Sequence, residues 1–321
     1  MKKKILICGS TGFIGRNTAE SFAQDDTYEV FGTYFNSKPL TNPRIKMVKV
    51  DLTSNEALRQ AVEGKDIVIQ AAAATSGARE TFTKPYYHVT DNAVMNALLF
   101  RAAFDFNVQH LIFLSCTTMY QSSDFPIKES DFDANQEIYS KYFGGAWTKV
   151  YNENMCKFYS RLGQTKFTVI RHSNIYGPYD KYDLERSHVF GATITKVMTA
   201  KEVDKIVVWG KGSETRDLLY VEDLVDCFKA AINKQTAKFE LVNAGQGVAI
   251  SVNELVAKIV KISGKNLMIE HDLSQPTIPT KICLDISRVK TLFNWQPQTC
   301  LADGIKKTIV WYQEHNKELA C

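Results

Sequence analysis

Three glycines at intervals of three residues, Gly9, Gly12 and Gly15, place the tightest constraint on the fold of this chain. They follow a short apolar run, residues 5–8, that is typical of a strand buried on both faces. They precede a helix-compatible segment, residues 16–23. A strand, a glycine turn and a helix in this order let the backbone approach a pyrophosphate, which then lies at the helix N-terminus. The segment therefore predicts a dinucleotide site in an α/β fold.

Composition narrows the class of protein without identifying it. The 321 residues are enough for one large α/β domain or two closely joined ones, and the net charge of +4 is too small to indicate a nucleic-acid partner. No apolar stretch approaches the ~18 residues of a membrane span. The six histidines lack metal-binding spacing, so no metal site is expected. Seven scattered cysteines indicate reduced thiols in a cytoplasmic protein.

The second predicted strand, residues 28–34, ends without the carboxylate that many dinucleotide folds carry there. An Asp or Glu at this end binds the adenosine ribose hydroxyls and repels a 2′-phosphate. Here the strand is followed by Phe35, Asn36, Ser37 and Lys38, and Arg16 lies just past the third glycine. The missing acid and the two nearby cations, Arg16 and Lys38, favour NADP over NAD.

Further apolar runs predict the rest of a parallel sheet. We expect strands at residues 44–50, 66–70, 108–115, 166–171 and 239–243, and helices from about residue 54 and over residues 91–107. The expected fold is a doubly wound parallel sheet of the Rossmann type in a dinucleotide-binding domain, residues 1–172. A smaller mixed α/β substrate-binding lobe comprises mainly residues 173–321, with the strand near residues 239–243 returning to the first domain.

Several separated motifs, in a consistent order, resemble the extended short-chain dehydrogenase/reductase family of nucleotide-sugar enzymes. The glycines have its GxxGxxG spacing, the alanines at residues 71–74 resemble its NAAG segment, and residues 171–178 resemble its R-P-x-N-x-Y-G-P segment. In the family, an acid at the Asp51 position touches the adenine. The resemblance implies that the cofactor is bound by Gly9, Thr11, Gly12, Phe13, Ile14, Gly15, Arg16, Asp51, Leu52, Ala71, Ala72, Ala73, Lys149 and His172.

The catalytic motif of the family departs from its usual form in this chain. Short-chain reductases use a Tyr with a Lys four residues later, and the Lys lowers the pKa of the Tyr. Lys149 and Glu153 match the family's S-K-x-x-x-E pattern, but Gly145 stands at the Tyr position. We hypothesise that Tyr142, seven residues before Lys149, donates the proton because the Gly144–Gly145 pair breaks the helix and lets it fold back.

The loop after the fifth strand supplies the other candidate proton donors. Residues 115–121 resemble the family's S-S-S-x-x-V-Y-G segment, and the usual catalytic hydroxyl position falls on Cys116. Thr117, next to it, is the alternative source of a hydroxyl. Nucleotide-sugar 4,6-dehydratases have an Asp and a Glu where Thr117 and Thr118 stand, so the sequence argues against dehydration.

The second half resembles the GDP-fucose synthases, which are 3,5-epimerases and 4-reductases. The similarity lies in Asp180, Glu185, residues 187–189 and residues 208–223. It implies that His188 is an epimerisation acid/base and that Arg216 grips the substrate diphosphate, since a guanidinium matches phosphate oxygens in two-pronged geometry. The epimerisation Cys of that family is replaced by Thr118. The implied substrate-binding residues are Asn174, His188, Val189, Lys196, Trp209 and Arg216.

These observations together predict an NADP-dependent oxidoreductase/epimerase of a nucleotide-activated sugar, most specifically a GDP-sugar 4-keto reductase. Hydride would pass between nicotinamide and sugar C4, with Lys149 orienting the ribose and a Tyr or Thr moving the proton. The alternatives are an NAD-retaining nucleotide-sugar 4-epimerase and a homologue that binds both ligands but has lost catalysis. A homodimer is expected, with neither a nucleic acid nor a membrane as partner.

Overall fold

A parallel sheet with helices on both faces forms the centre of the structure. The computed structural model describes residues 1–74, 86, 89–184, 187–275, 277 and 280–319, and side chains as far as residue 315. Its strands are β1 Lys3–Cys8, β2 Tyr28–Tyr34, β3 Ile45–Lys49, β4 Ile67–Gln70, β5 His110–Leu114, β6 Lys166–His172, β7 Asn174–Tyr176, β8 Lys205–Trp209, β9 Thr215–Tyr220, β10 Phe239–Ala244, β11 Ala249–Ser251 and β12 Met268–Asp272. Its α-helices are α1 Phe13–Ala23, α2 Asn55–Val62, α3 Thr90–Asp105, α4 Phe143–Leu162, α5 Val189–Thr199, α6 Val221–Lys234, α7 Val252–Ser263, α8 Ser287–Phe293 and α9 Leu301–Leu319.

The strand order of the main sheet is that of a doubly wound fold. Among the described residues the sheet runs β10-β6-β5-β4-β1-β2-β3, and every neighbouring pair is parallel. The order reverses between β1 and β4, and ligands of such folds bind beyond the carboxyl ends of the strands at that point. The predicted fold class is confirmed.

Alternation along β1 shows why a continuous apolar run becomes the central strand. Ile5 and Ile7 face one apolar layer, which α1, α6 and α8 cover, while Leu6 and Cys8 face the other, which α2, α3 and α4 cover. All four side chains are fully buried. Burying one large aliphatic side chain stabilises the fold by about 1.5–3 kcal/mol, so both faces of this strand are closed by packing.

The rest of the chain forms small sheets around a third apolar cluster. The strands β11, β9 and β7 form one sheet and β12 and β8 another, while α5, α7 and α9 supply the helical part of the cluster. The chain nevertheless returns to the main sheet, because β10 pairs with β6 over its whole length, from Phe239 opposite Phe167 to Ala244 opposite His172. The division of the chain into domains at residues 172 and 173 stays a prediction.

Candidate active site

Backbone contacts shape the glycine turn between β1 and α1 and leave no space for side chains. Gly9 has a φ of +72°, and a Cβ on Gly15 would lie 2.1 Å from the Gly9 carbonyl oxygen. A Cβ on Gly9 would lie 2.6 Å from Ala72 Cα, so the turn touches the segment after β4. Gly12 caps α1 without a side-chain hydrogen bond, which leaves the first helical amides for a ligand. This backbone cradle fits the pyrophosphate of a dinucleotide. The other residues predicted here lie in the same turn or beside Ala72: Thr11, Phe13, Ile14, Ala71 and Ala73.

The residues predicted to bind the adenosine lie after β2 and β3. Asp51 Oδ1 accepts hydrogen bonds from the Thr53 amide at 2.9 Å and from the Thr53 hydroxyl at 2.6 Å, so the carboxylate stabilises its own turn. Leu52 is buried in the second apolar layer. Lys38, beyond the end of β2, is exposed. The structure gives Asp51 a local role, and its contact with adenine stays a prediction.

Arg16 has a partner that sequence reasoning missed. Its guanidinium carbon lies 3.8 Å from the centre of the Tyr179 ring, and the next residue, Asn17, donates a 2.9 Å hydrogen bond to the Pro178 carbonyl. Helix α1 is therefore tied to the loop after β7, which no local sequence pattern announces. The predicted contact of Arg16 with a 2′-phosphate stays a proposal.

Lys149 lies on α4 and reaches the carboxyl end of β5. Its Nζ donates a 2.7 Å hydrogen bond to the Leu114 carbonyl and lies 4.9 Å from the centre of the Phe113 ring. Burial lowers the pKa of Lys149, while the nearby Cys116 and Glu153 act to raise it. The ammonium is therefore fixed at the edge of the sheet that also holds the glycine cradle.

A buried ion pair holds α4 against the sheet one helical turn further on. Arg171 Nη2 lies 2.6 Å from Glu153 Oε2, and Arg171 Nε donates to Glu153 Oε1 at 3.0 Å. Ser115 also donates to this carboxylate, and Arg171 donates to the Tyr120 hydroxyl, which donates in turn to Asn243. The network fixes the loop after β5 relative to α4, β6 and β10. Sequence reasoning recognised Glu153 and Arg171 only as parts of separate motifs.

The predicted helix break at Gly144 and Gly145 is wrong. Helix α4 begins at Phe143 and runs through both glycines without interruption. Two glycines cost about 1 kcal/mol each in a helix, but this turn is held by tertiary packing of the fully buried Ala146 and by a hydrogen bond from Thr148 to the Gly144 carbonyl. Apart from its chain neighbours and the α4 backbone, no described residue would lie within 4 Å of a Cβ on Gly145, so the described part of the structure leaves space at the position of the missing tyrosine.

Tyr142 precedes the helix, in the 3₁₀ turn Ser140–Tyr142, and packs against the cluster formed around Met119, Ala146 and Val150. Since the helix is continuous, Tyr142 and Lys149 are separated by about 10.5 Å along its axis. Burial raises the pKa of Tyr142 and lowers that of Arg216, and the electrostatic attraction between the two groups opposes both shifts. Arg216 Nη1 also donates to the Thr215 and Thr280 carbonyls at 2.9 Å each.

Asp217, which follows Arg216, is bound elsewhere. It is fully buried, and its carboxylate accepts backbone hydrogen bonds from Gln246, Gly247 and Leu284. Asp217 thus joins β9 to two later segments and anchors the strand that carries Arg216. The sequence shows that Asp217 stands next to Arg216, but it does not show the three backbone amides that Asp217 binds.

The loop after β5 brings a thiol and two hydroxyls to the same place. Cys116 Sγ lies 2.9 Å from Thr118 Oγ1, within hydrogen-bonding distance. Cys116 is half-buried and packs against the cluster formed around Met119, Ala146 and Val150, which also includes Tyr142. Thr117 is partly exposed, and its carbonyl accepts a hydrogen bond from the Tyr120 amide. The candidate proton donors of the sequence prediction are therefore neighbours, with Cys116 facing α4.

Two histidines lie on the route from the sheet to the substrate lobe. His172 ends β6, and its Nδ1 lies 2.8 Å from the Ser173 carbonyl, so Nδ1 carries the hydrogen and Nε2 is an acceptor. Burial lowers the pKa of His172 to about 4, with Lys149 and His188 acting in the same direction. The His172 ring is therefore neutral near pH 7. His188 is the N-cap of α5 and is exposed.

The remaining residues predicted to bind substrate are spread over β7, α5 and β8. Asn174 donates to the Asp217 carbonyl at 3.3 Å, which places it beside the strand of Arg216. Lys196 donates to the Val207 carbonyl at 3.0 Å, so it lies against β8, which ends at the exposed Trp209. Val189 is the first residue of α5. Glu185, part of the same sequence motif, lies outside the described residues.

The described residues carry two further negative findings. No group of three or more His, Cys, Asp or Glu side chains among them is arranged to hold a metal ion. Among the helices that the structure describes, none combines the length and the apolar character that crossing a membrane requires.

Comparison with known proteins identifies the family. The model of the NAD dependent epimerase/dehydratase family matches residues 5–245. The chain belongs to this family. It is 28% identical over 312 residues to the GDP-L-colitose synthase of Yersinia pseudotuberculosis, covering 96% of this chain and 97% of that protein. It is 29% identical over 316 residues to the GDP-L-fucose synthase of Sinorhizobium fredii, covering 95% and 94%. The solved UDP-glucose 4-epimerase of Thermotoga maritima, with UDP-glucose, superposes with a TM-score of 0.81 at 23% identity, covering 98% of this chain and 99% of the other, and shows the shared fold.

Membership of the NAD dependent epimerase/dehydratase family establishes an NAD(P)-dependent enzyme of the nucleotide-sugar epimerase/reductase type and confirms the resemblance drawn from the motifs. Relatives of this chain include GDP-sugar synthases, dTDP-sugar reductases and a UDP-sugar epimerase. The family therefore establishes the class of reaction. The sugar, the nucleotide base and the individual reaction step are proposed below.

Proposed function

We propose that this enzyme reduces the C4 keto group of a GDP-activated sugar with NADPH and also epimerises the sugar ring. The observation that carries the proposal is the position of Lys149. Its ammonium lies at the carboxyl end of β5, and the glycine cradle lies at the carboxyl end of β1, on the same edge of the parallel sheet. Relatives named as GDP-L-colitose and GDP-L-fucose synthases support the GDP-sugar.

The cofactor would be held mainly by backbone. Gly9, Gly12 and Gly15 would accommodate the pyrophosphate, and Lys149 would bind the nicotinamide ribose. A bound nicotinamide supplies the hydride. NADPH is favoured over NADH because residues 35–40, after β2, contain no carboxylate to repel a 2′-phosphate.

Binding titrations test this cofactor preference. NADPH should bind more tightly than NADH, and an NADH affinity equal to or higher than that for NADPH would overturn the preference. Arg16→Ala should weaken NADPH and barely change NADH if the guanidinium reaches the 2′-phosphate. Lys38→Ala is the matched variant at the end of β2. A loss of NADPH affinity confined to Lys38→Ala would leave Arg16 with only its stacking on Tyr179.

The substrate would lie between Lys149 and the lobe that carries Arg216. Arg216 would bind the diphosphate, with Asn174, Val189, Lys196 and Trp209 around the nucleotide sugar. His188 would serve as the acid/base of epimerisation, since a neutral imidazole accepts a proton near pH 7. The proton of the reduction step would come from one of three groups: Tyr142, Thr117 or Cys116.

A substrate panel tests the proposed function. The purified protein is mixed with NADPH and one 4-keto-6-deoxy sugar attached in turn to GDP, dTDP or UDP, and NADPH consumption is followed by absorbance. We expect consumption with the GDP-sugar and much less with the others, and loss of turnover in Lys149→Met. Equal rates with all three nucleotides would contradict the GDP assignment, and no consumption with any would contradict the reductase.

Two other outcomes would identify the alternative functions. Conversion of a 4-hydroxy sugar to its epimer without net use of NADPH would show an NAD-retaining 4-epimerase, which the similarity to a UDP-glucuronate 4-epimerase supports. Binding of both ligands without turnover would show a homologue that has lost catalysis, which Gly145 in place of the usual tyrosine supports.

We also propose that two copies associate through α3 and α4. These helices pack on each other and carry exposed apolar side chains. Val94 of α3 is 41% exposed, and Tyr151, Phe158 and Leu162 of α4 are more than half exposed. Light scattering should show a dimer, and Tyr151→Arg with Phe158→Arg should yield a monomer. Val203→Arg, at an exposed site outside both helices, is the matched control.

A further inference from the structure

The open space at Gly145 leaves Lys149 without its usual phenolic partner. Lys149 is otherwise in the family's setting, bound to the Leu114 carbonyl at the end of β5. Apart from its chain neighbours and the α4 backbone, no described residue places an atom within 4 Å of a Cβ on Gly145, whereas one on the neighbouring Gly144 would lie 2.7 Å from Val89. Among the described residues, the space therefore lies at Gly145, one helical turn before Lys149 and on the same face of α4.

Three ionisable groups act electrostatically on the pKa of Lys149: Cys116, Glu153 and Cys156. Glu153 is already neutralised by two hydrogen bonds from Arg171. Cys156 is fully buried in the second apolar layer and out of reach of substrate. Cys116 is the half-buried member of the three, two residues beyond the carbonyl that binds Lys149, with Thr118 within hydrogen-bonding distance.

Tyr142 interacts electrostatically with a different cation, Arg216. The phenol interacts with Arg216 and with Cys116, and the continuous helix places Tyr142 and Lys149 about 10.5 Å apart along its axis. Lys149 from α4 and Tyr142 from the turn before it each interact electrostatically with Cys116, and Lys149 lowers the pKa of His172 at the end of β6. Cys116 and Tyr142 both pack against the cluster formed around Met119, Ala146 and Val150, and Ala146 and Val150 lie on either side of Lys149 along α4.

We propose that Cys116 is the catalytic acid of the reduction step, replacing the missing tyrosine beside Lys149. This inference rests on the proposed function. As hydride reaches the carbonyl carbon of the sugar, the Cys116 S–H bond breaks and an O–H bond forms at the carbonyl oxygen. The electron pair stays on sulfur, where the Lys149 ammonium and the Thr118 hydroxyl stabilise the thiolate, and a proton from water restores the thiol. A free thiol is a stronger acid than a phenol, with a pKa near ~8.5 against ~10.

Alkylation of the ligand-free protein tests the pairing of Cys116 with Lys149 without any turnover. Iodoacetamide reacts with thiolates, and peptide mass analysis measures the rate at each cysteine. Cys300 is exposed and pairs with Asp303 rather than with a lysine, so it is the internal reference. We expect Lys149→Met to slow alkylation of Cys116 by at least about threefold and to leave Cys300 unchanged. An unchanged rate at Cys116 would overturn the pairing.

Turnover by three variants tests the acid itself. Cys116→Ser keeps the size and a hydrogen bond to Thr118 but supplies a far weaker acid, so kcat should fall by about 100-fold or more while NADPH binding is kept. Adding Gly145→Tyr to this variant recreates the Tyr, Lys and Ser set of the family in a space that admits a Cβ, and should restore kcat at least about tenfold. Tyr142→Phe should mainly raise KM. A Cys116→Ser enzyme with normal kcat would overturn the proposal.

The outcomes separate this inference from the function on which it rests. If the wild-type protein consumes NADPH with a sugar nucleotide and Cys116→Ser does so equally well, only the role of Cys116 fails. If the wild-type protein consumes no NADPH but Cys116→Ser with Gly145→Tyr does, the native thiol is not a working acid and the inference fails. If no variant acts on any nucleotide sugar, the proposed function fails, whatever the alkylation rates show.

Discussion

The two ends of the candidate site, the glycine cradle and the first turn of α4, both depend on glycine, but for opposite reasons. At the cradle, Gly15 is required because a Cβ would lie 2.1 Å from a carbonyl oxygen. At α4, a Cβ on Gly145 would clash with none of the described residues. A glycine in a motif therefore marks either a backbone constraint or an absent side chain, and the contacts around the glycine distinguish the two cases.

The largest effect on stability should come from breaking the buried ion pair between Glu153 of α4 and Arg171. Glu153→Ala leaves Arg171 buried without its carboxylate, which typically costs about 3–5 kcal/mol in the free energy of unfolding. Chemical denaturation measures the loss. Glu270→Ala is the matched control, since Glu270 pairs with Lys205 at the surface with both side chains about half exposed, and exposed pairs contribute about 0–1 kcal/mol. Equal losses in both variants would mean that burial does not distinguish the two pairs.

The next effect should come from the cradle itself. Gly15→Ala forces the Gly9 carbonyl to move, so we expect a loss of about 3 kcal/mol in the free energy of unfolding, as in an overpacked core. NADPH binding should be lost as well, because the displaced turn no longer fits a pyrophosphate. Fluorescence titration measures the binding. A Gly15→Ala protein that binds NADPH with normal affinity would show that the turn tolerates a side chain.

The third effect, on binding of the substrate nucleotide, should be smaller than the effect of changing the glycine cradle. Arg216→Ala removes a charge-assisted contact, so GDP affinity should fall by about 1.5–3 kcal/mol, while NADPH affinity stays unchanged. Calorimetric titration of GDP and NADPH measures both. Arg288→Ala is the matched control, because Arg288 lies on α8, is about half exposed and pairs with Glu240. Normal GDP binding by Arg216→Ala would contradict a role for Arg216 in binding the diphosphate.

The smallest expected effect is a gain in the free energy of unfolding rather than a loss. Gly145→Ala fills open space within a helix, so it should stabilise the protein by about 0.5–1 kcal/mol. Thermal unfolding measures the gain, and the same method applied to Gly15→Ala gives the opposite direction. A destabilised Gly145→Ala protein would show that the first turn of α4 depends on the flexibility of glycine after all.

Features set by local patterns were predictable, and features set by distant contacts were not. The buried run of β1, the glycine turn and the strand at Tyr28–Tyr34 follow from residue order alone. The continuity of α4 through Gly144 and Gly145 does not, because packing of Ala146 and Val150 outweighs the low helix propensity of glycine.

Two pairings in the site illustrate the same limit. Arg16 stacks on Tyr179, 163 residues later in the chain, and Arg171 pairs with Glu153 across a strand and a helix. Each residue looked like an ordinary member of its own motif. The roles of the predicted site residues stay predictions, because geometry without substrate does not assign proton transfer.

The return of β10 to the main sheet has a consequence for how this protein can be divided. A fragment ending at residue 172 would lack the strand that pairs with β6 from Phe167 to His172. It would expose a row of free backbone groups beside apolar side chains, which is a template for intermolecular strand pairing. Splitting the gene at that point should therefore yield an aggregating first half, soluble only when the polypeptide carrying residues 239–244 is co-expressed with it.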